Sequence, residues 1–170
     1  MALDPIPASF QSDGLWTVTY VPTGSNPLSA AILNGATAKD ITYGLTGDGF
    51  TYAVSQAEVT DSRLTLQQSL SRPGRVTETL SIKYVDTTDT AAPAVLFAPD
   101  STTGVYPAGF LVVRRGVANG TAYATGQKVD VLTVQFGVQA PDAPAENGLD
   151  TVTQGVYLTA STQRKATVVA

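Results

Sequence analysis

The chain contains neither cysteine nor histidine. Without thiols there is no disulfide framework and no cysteine nucleophile. Without imidazole the Ser-His-Asp and Cys-His arrangements fall away, together with most zinc sites. Charge is scarce too: Asp, Glu, Lys and Arg make up 14% of the residues, well under the usual quarter. The net charge is −4 and the isoelectric point about 4.6, which speaks against a nucleic-acid binder, since that would need a basic patch to neutralise phosphates. Walker and Rossmann glycine motifs are absent. Gly47-Asp48-Gly49 lacks the spaced acids of a calcium loop and reads as a turn. Of the three glutamates, Glu58 and Glu78 could approach each other across strands, but two solvated strand residues explain them better than a glycosidase pair. We therefore expect no enzyme, no cofactor and no metal. No apolar run approaches membrane-spanning length, so no membrane anchor is expected. The opening MALDPIPASF has no basic segment followed by an apolar one, so we expect no secretory signal and folding in a cytosol.

What is abundant is threonine, 24 of 170 residues, on a background that is 43% apolar. Threonine is β-branched and suits an exposed pleated surface. A lightly charged chain of strands invites edge pairing, which points to assembly with other copies. The length suits one domain with a real core. We expect an extended arm over 1–14 and a single domain over 15–170.

The most informative stretch is Arg63 to Tyr84. Leu64, Leu66 and Leu70 alternate with polar residues on one side of Arg72-Pro73-Gly74-Arg75. Val76, Leu80, Ile82 and Tyr84 alternate with Thr77, Thr79, Ser81 and Lys83 on the other. This predicts a long protruding hairpin over Arg63–Tyr84 turning at Pro73-Gly74, with Leu70 opposite Val76 and Leu66 opposite Leu80. Such a hairpin needs another surface against its apolar face.

Along the rest of the chain, Trp16 to Tyr20 predicts a first strand with Trp16, Val18 and Tyr20 inward. Asn26 to Gly35 predicts a two-turn helix capped by Asn26, with Pro27 in its first position and Leu28, Ile32 and Leu33 buried. Ile41–Leu45 and Phe50–Val54 predict a hairpin about Gly47-Asp48-Gly49. A helical turn is expected near Thr90–Phe97, capped by Asp89 and threatened by Pro93. Phe110–Val113 is apolar on both parities, so both faces should be covered. Val129–Gln139 predicts a strand with Leu132, Val134, Phe136 and Val138 inward. Val152–Ala160 and Ala166–Ala170 complete the set. The fold class is mainly β: a β-sandwich or barrel of about eight strands with one or two short flanking helices.

Arg114-Arg115 ends an apolar strand, and two readings stand: a solvated strand end, or an ion pair with a neighbouring subunit. Arg72, Pro73, Gly74 and Arg75 likewise read as a soluble turn or as a contact with another copy.

The order of short pieces carries a resemblance. Leu33-Asn34-Gly35, Asp40-Ile41-Thr42 and Asp48-Gly49-Phe50 are followed by Leu111-Val112-Val113-Arg114-Arg115-Gly116. Then come Gly126-Gln127-Lys128-Val129-Asp130-Val131, Phe136-Gly137-Val138-Gln139 and Glu146-Asn147. In this order they resemble the major tail tube proteins of long-tailed, siphovirus-type bacteriophages, especially those of actinobacterial hosts. The resemblance implies a structural virion protein made in the host cytoplasm, whose hexameric rings stack into a conduit for genome delivery. Its partners would be itself, the tape measure, tail tip and terminator proteins, and double-stranded DNA as transient cargo. On that reading Arg72, Pro73, Gly74, Arg75, Arg114 and Arg115 are candidates for inter-subunit contact. Glu58, Asp61 and Glu78 are candidates for an acidic lumen that does not hold phosphate. The alternative is a monomeric immunoglobulin-like or carbohydrate-binding β-sandwich on a virion or cell surface, presenting an exposed aromatic platform.

Overall fold

The computed structural model describes residues 13–61 and 70–170. The expected arm therefore lies almost wholly outside the described residues. Eight strands form one antiparallel sheet: β1 (Trp16–Pro22), β2 (Lys39–Asp40), β3 (Leu45–Asp61), β4 (Leu70–Val85), β5 (Ala108–Arg115), β6 (Lys128–Pro141), β7 (Thr151–Leu158) and β8 (Gln163–Thr167). Their order is β2-β1-β5-β6-β7-β4-β3, with β8 on β6. The sheet is curled into a half-barrel, and two single-turn helices, α1 (Ala30–Leu33) and α2 (Pro93–Leu96), flank it. The curl brings its two ends together. Trp16 on β1 and Phe50 on β3 meet edge to face, with ring centroids 6.2 Å apart.

Alternation decides which side chains fill the concavity. Val18 and Tyr20 join Leu111, Val113, Leu132, Val134, Phe136, Val152, Val156, Leu80, Ile82 and Tyr84 in the inner core. Trp16 packs against its margin. Phe97, delivered by α2, stacks on Phe136 with centroids 3.8 Å apart, and Tyr20 meets both rings edge on. Pro93 is the first residue of α2, where its missing N–H is no loss, so it starts the helix rather than breaking it. Asp89 accepts from the Ala91 N–H at 3.0 Å, one turn before the helix. The opposite face of β1, β5 and β6 has its own core of Val21, Val112, Val129 and Val131 under Leu33, Tyr123 and Val168. β5 is thus covered on both faces, as its unbroken apolar run requires.

Four expectations change. The Asn26–Gly35 helix contracts to one turn whose N-cap is Ser29. Asn26 instead closes a turn, accepting from the Leu28 N–H at 3.0 Å, and Ser29 is drawn into a parallel bridge with Val169. Leu33 remains buried, and Leu28 and Ile32 pack beside it. Ile41–Leu45 is not a strand: Thr42–Gly44 is a 3-10 turn. Gly47-Asp48-Gly49 is a wide bulge inside β3, between the pairs Leu45–Tyr84 and Phe50–Ile82. A Cβ on Gly49 would lie 2.1 Å from the Lys83 carbonyl oxygen, so only glycine fits. Val138 points out, 67% exposed, because β6 bulges between Phe136 and Gln139 opposite Gly155 and the parity reverses.

The fourth change is the largest. Pro73-Gly74 is not a turn. β4 runs straight through it and pairs with β3, setting Val76 against Gln56, Leu80 against Tyr52 and Leu70 against Asp61. Leu70 does not meet Val76, and Leu64 and Leu66, which the expected register also used, lie outside the described residues. Pro73 is tolerated because β4 there has a neighbour on one side only. The register slips between Gln56 and Glu58, so Gly74 and Arg75 face the single residue Ala57. The apolar-polar alternation of β4 sends Leu80, Ile82 and Tyr84 inward, while Leu70 and Val76 stand half-exposed where β4 has left the barrel.

Candidate assembly surface

β7 pairs with β4 only over Leu80–Val85. Beyond that point Ala53–Asp61 and Leu70–Thr79 pair as strands only with each other among the described residues. They form a two-stranded ribbon that leaves the half-barrel with both outer edges unpaired among the described residues. Its side chains are exposed almost throughout, and these include Val54, Val59, Leu70 and Val76, each between 44% and 52% exposed. A two-stranded ribbon with apolar side chains in water is marginal alone, and its open edges are templates for pairing.

The residues singled out from sequence divide between this ribbon and the barrel. Arg72, Pro73, Gly74, Arg75, Glu58 and Asp61 are all on the ribbon. Arg72 lies 3.8 Å from the Asp61 carboxylate across the strands. Glu78 stands at the ribbon's root on the inward parity. It accepts from the Thr162 hydroxyl and from Arg164 at 3.3 Å, while Arg164 also donates to the Tyr52 hydroxyl at 2.7 Å. The Thr162 hydrogen bond, helped by Tyr52 and Arg164, holds the Glu78 carboxyl below the ordinary carboxylate value. β8 and the ribbon root are joined through this cluster.

Arg114 is neither a solvated strand end nor free to reach a neighbour. It is 1% exposed. Its guanidinium donates to the carbonyls of Thr121 (2.7 Å) and Ala122 (3.3 Å), to Gln127 Oε1 and to Thr17 Oγ1, and lies 4.3 Å from the centre of the Tyr123 ring. Four acceptors and an aromatic face make it the pin of the 121–127 loop. Arg115, on the other parity, pairs with Asp130 and lies over Trp16 with half of its side chain in water. Nothing in the sequence distinguishes these two arginines except the parity of the strand that carries them.

A buried polar cluster fixes α2 to the sheet. Gln154, fully buried on β7, donates to the carbonyls of Phe97 (3.0 Å) and Gly137 (2.7 Å) and accepts from Tyr84. Gln139, turned inward by the β6 bulge, donates to the Tyr84 hydroxyl and to the Ala94 carbonyl, both at 2.8 Å. These amides satisfy carbonyls that helix end and bulge would otherwise leave bare. Sequence reading missed both, since a lone glutamine in a strand carries no signal of burial.

A sequence model of the family described as phage tail tube protein matches residues 4–170. The chain belongs to the phage tail tube protein family. A solved structure with a similar fold, TM-score 0.56 and 10% identity, is the anti-feeding prophage baseplate, 6-fold symmetrised; the alignment covers 95% of this chain and 96% of that one. No curated protein matches at a significant level. Family membership makes this a structural component of the virion tail. The projecting ribbon thus belongs to a member of the phage tail tube protein family.

Proposed function

We propose that copies of this chain close into hexameric rings, that the rings stack into the tail tube of a siphovirus-type phage, and that neighbouring copies complete the β3–β4 ribbon. The ribbon carries the reading: two unpaired edges and four half-exposed apolar side chains on a segment that its own barrel does not cover. Closing a ring removes such edges from water. The tube is a passive conduit without catalysis, and its other partners are the tail proteins at its ends and inside it. Glu58, Asp61 and Glu78 remain candidates for the lumen. Arg164 beside Glu78 and Arg72 beside Asp61 offset part of their field, leaving Glu58 without an ion pair among the described residues. The monomeric binding module is disfavoured because Trp16, Tyr20 and Tyr52 pack on the inner core and so form no exposed aromatic platform. Negative-stain electron microscopy and light scattering of the purified protein test the proposal. Rings or tubes are expected; a 17.6 kDa monomer at every concentration overturns it.

A further inference from the structure

The half-barrel is closed by side chains and not by strand pairing. β1 and β3 stand toward opposite ends of the sheet and share no ladder among the described residues; Trp16 and Phe50 bridge them with one edge-to-face contact. Beside that contact lies a cleft of about 340 Å³ with an apolar lining of Trp16, Val18, Leu45 and Phe50. Trp16, Leu45 and Phe50 are only partly buried, so the inner core is left uncovered at this point. The polar groups of the lining are engaged locally. Thr42 Oγ1 accepts from the Val18 N–H at 2.8 Å and donates to Asp40, and the Thr46 hydroxyl donates to Asp48 at 2.8 Å. What remains suits an apolar side chain.

The chain itself leads into this cleft. Gly14, at φ 70°, takes the left-handed conformation that glycine tolerates and turns the chain immediately before β1. The turn is anchored: the Gly14 carbonyl accepts from the Asn119 N–H and the Leu15 carbonyl from the Gly116 N–H, both at 2.9 Å. It delivers Asp13, the first described residue, into the lining of the cleft. Residues 1–12 therefore join the described chain at the cleft. Phe10 is the first large apolar residue upstream, ahead of Ile6 and Leu3. Three residues of chain can separate its Cα from that of Asp13 by no more than about 11 Å.

We propose that Phe10 seats its ring in this cleft, against Trp16 and Phe50 of its own chain, and completes the inner core where β1 and β3 meet. The tether decides the occupant. A side chain held this close meets the cleft at an effective concentration on the order of millimolar, whereas a second copy must supply the same ring from solution. A third aromatic ring beside an edge-to-face pair extends the same packing. The contact forms within one chain, so it is independent of the tube reading.

Trp16 is the single tryptophan of the chain, so its fluorescence reports on the cleft directly. Phe10→Ala should shift Trp16 emission to longer wavelength and increase its quenching by acrylamide, at every protein concentration. Phe10→Leu should keep most of the wild-type signal and Leu3→Ala all of it. Far-ultraviolet circular dichroism of Phe10→Ala should match wild type, which separates loss of the contact from loss of the fold. The chain also lacks cysteine, so Phe10→Cys combined with Thr46→Cys offers one thiol pair to a short bis-maleimide. The bridge should form within single chains at high dilution. Identical Trp16 emission in wild type and Phe10→Ala overturns the contact, as does a thiol pair that is not bridged. A wild-type signal that appears only on concentration, or bridging only between chains, also overturns it and gives the cleft to a neighbouring copy.

Discussion

The Tyr84 hydroxyl donates to Gln154 Oε1 at 2.9 Å in the centre of the half-barrel, where both residues are fully buried. It also accepts from Gln139, so one phenol ties β4, β6 and β7 together beneath α2. Burial pushes the Tyr84 phenol up to about 12 from its ordinary value of 10, and burial raises Tyr20 and Tyr123 as well. Above pH 10 the unfolded chain releases these protons while the folded chain keeps them. Stability from these groups is thus complete below pH 10 and declines as pH rises toward 12. Urea titrations across that range should show the decline, and Tyr84→Phe should flatten it. At pH 7 the same variant should cost about 1–3 kcal/mol, because Gln154 Oε1 loses its donor.

Neighbouring arginines should behave oppositely. Arg114→Ala strips partners from the Thr121 and Ala122 carbonyls and from Gln127 and Thr17, and leaves a hole beside Tyr123. It should destabilise the fold by about 3–5 kcal/mol. Arg115→Ala removes a half-exposed pair with Asp130 and should cost no more than about 1 kcal/mol. Chemical denaturation of the two variants side by side measures the difference. Equal effects would contradict the burial assigned to Arg114.

The Glu78 carboxyl is held low, chiefly by the Thr162 hydroxyl. A depressed acid contributes stability above its unfolded value of about 4.5, and that contribution is lost as pH falls through the folded value. Glu78→Gln should therefore reduce the loss of stability on acidification below pH 4.5. It should also loosen the ribbon root, because glutamine offers one acceptor oxygen where the Glu78 carboxylate offers one each to Thr162 and Arg164, and carries no charge to pair with Arg164. Hydrogen exchange of β8 and of Thr77–Leu80 should quicken in the variant; unchanged exchange would show that backbone pairing alone orients the ribbon.

Alternation made the fold class, the inner face of β1 and the hydroxyl face of β4 legible. What stayed hidden depended on partners distant in sequence. Pro73-Gly74 has the local chemistry of a turn, yet it lies in a strand because β7 stops at Leu80 and leaves that part of β4 with one neighbour. Gly47-Asp48-Gly49 failed in the same way, as a bulge spanned by β4 rather than a reversal. At Val138 a two-residue bulge inverted the parity that had been right up to Phe136. Arg114 was unreadable for another reason: two of its four acceptors are backbone carbonyls, which no side-chain pattern announces. Of the candidate surface, the alternation of Leu70 and Val76 is visible in the sequence, but nothing local to them names β3 as their partner.

Because the barrel does not bury the ribbon's apolar residues, they can be changed without weakening the monomer. Val54 is 44% and Val76 48% exposed, and neither belongs to the inner or outer core. Replacing a half-exposed valine by aspartate changes monomer stability by only about 0.5 kcal/mol. In an assembled tube the same substitution buries an unpaired carboxylate against the neighbouring copy, where the cost is several-fold larger. Val76→Asp, opposite the neutral Gln56, should therefore keep the wild-type denaturation midpoint and lose tube formation in electron micrographs, whereas Val76→Thr should retain both. An aspartate variant that still forms tubes would show that this face of the ribbon remains in water after assembly, and would shift the interface to the free edge of β3.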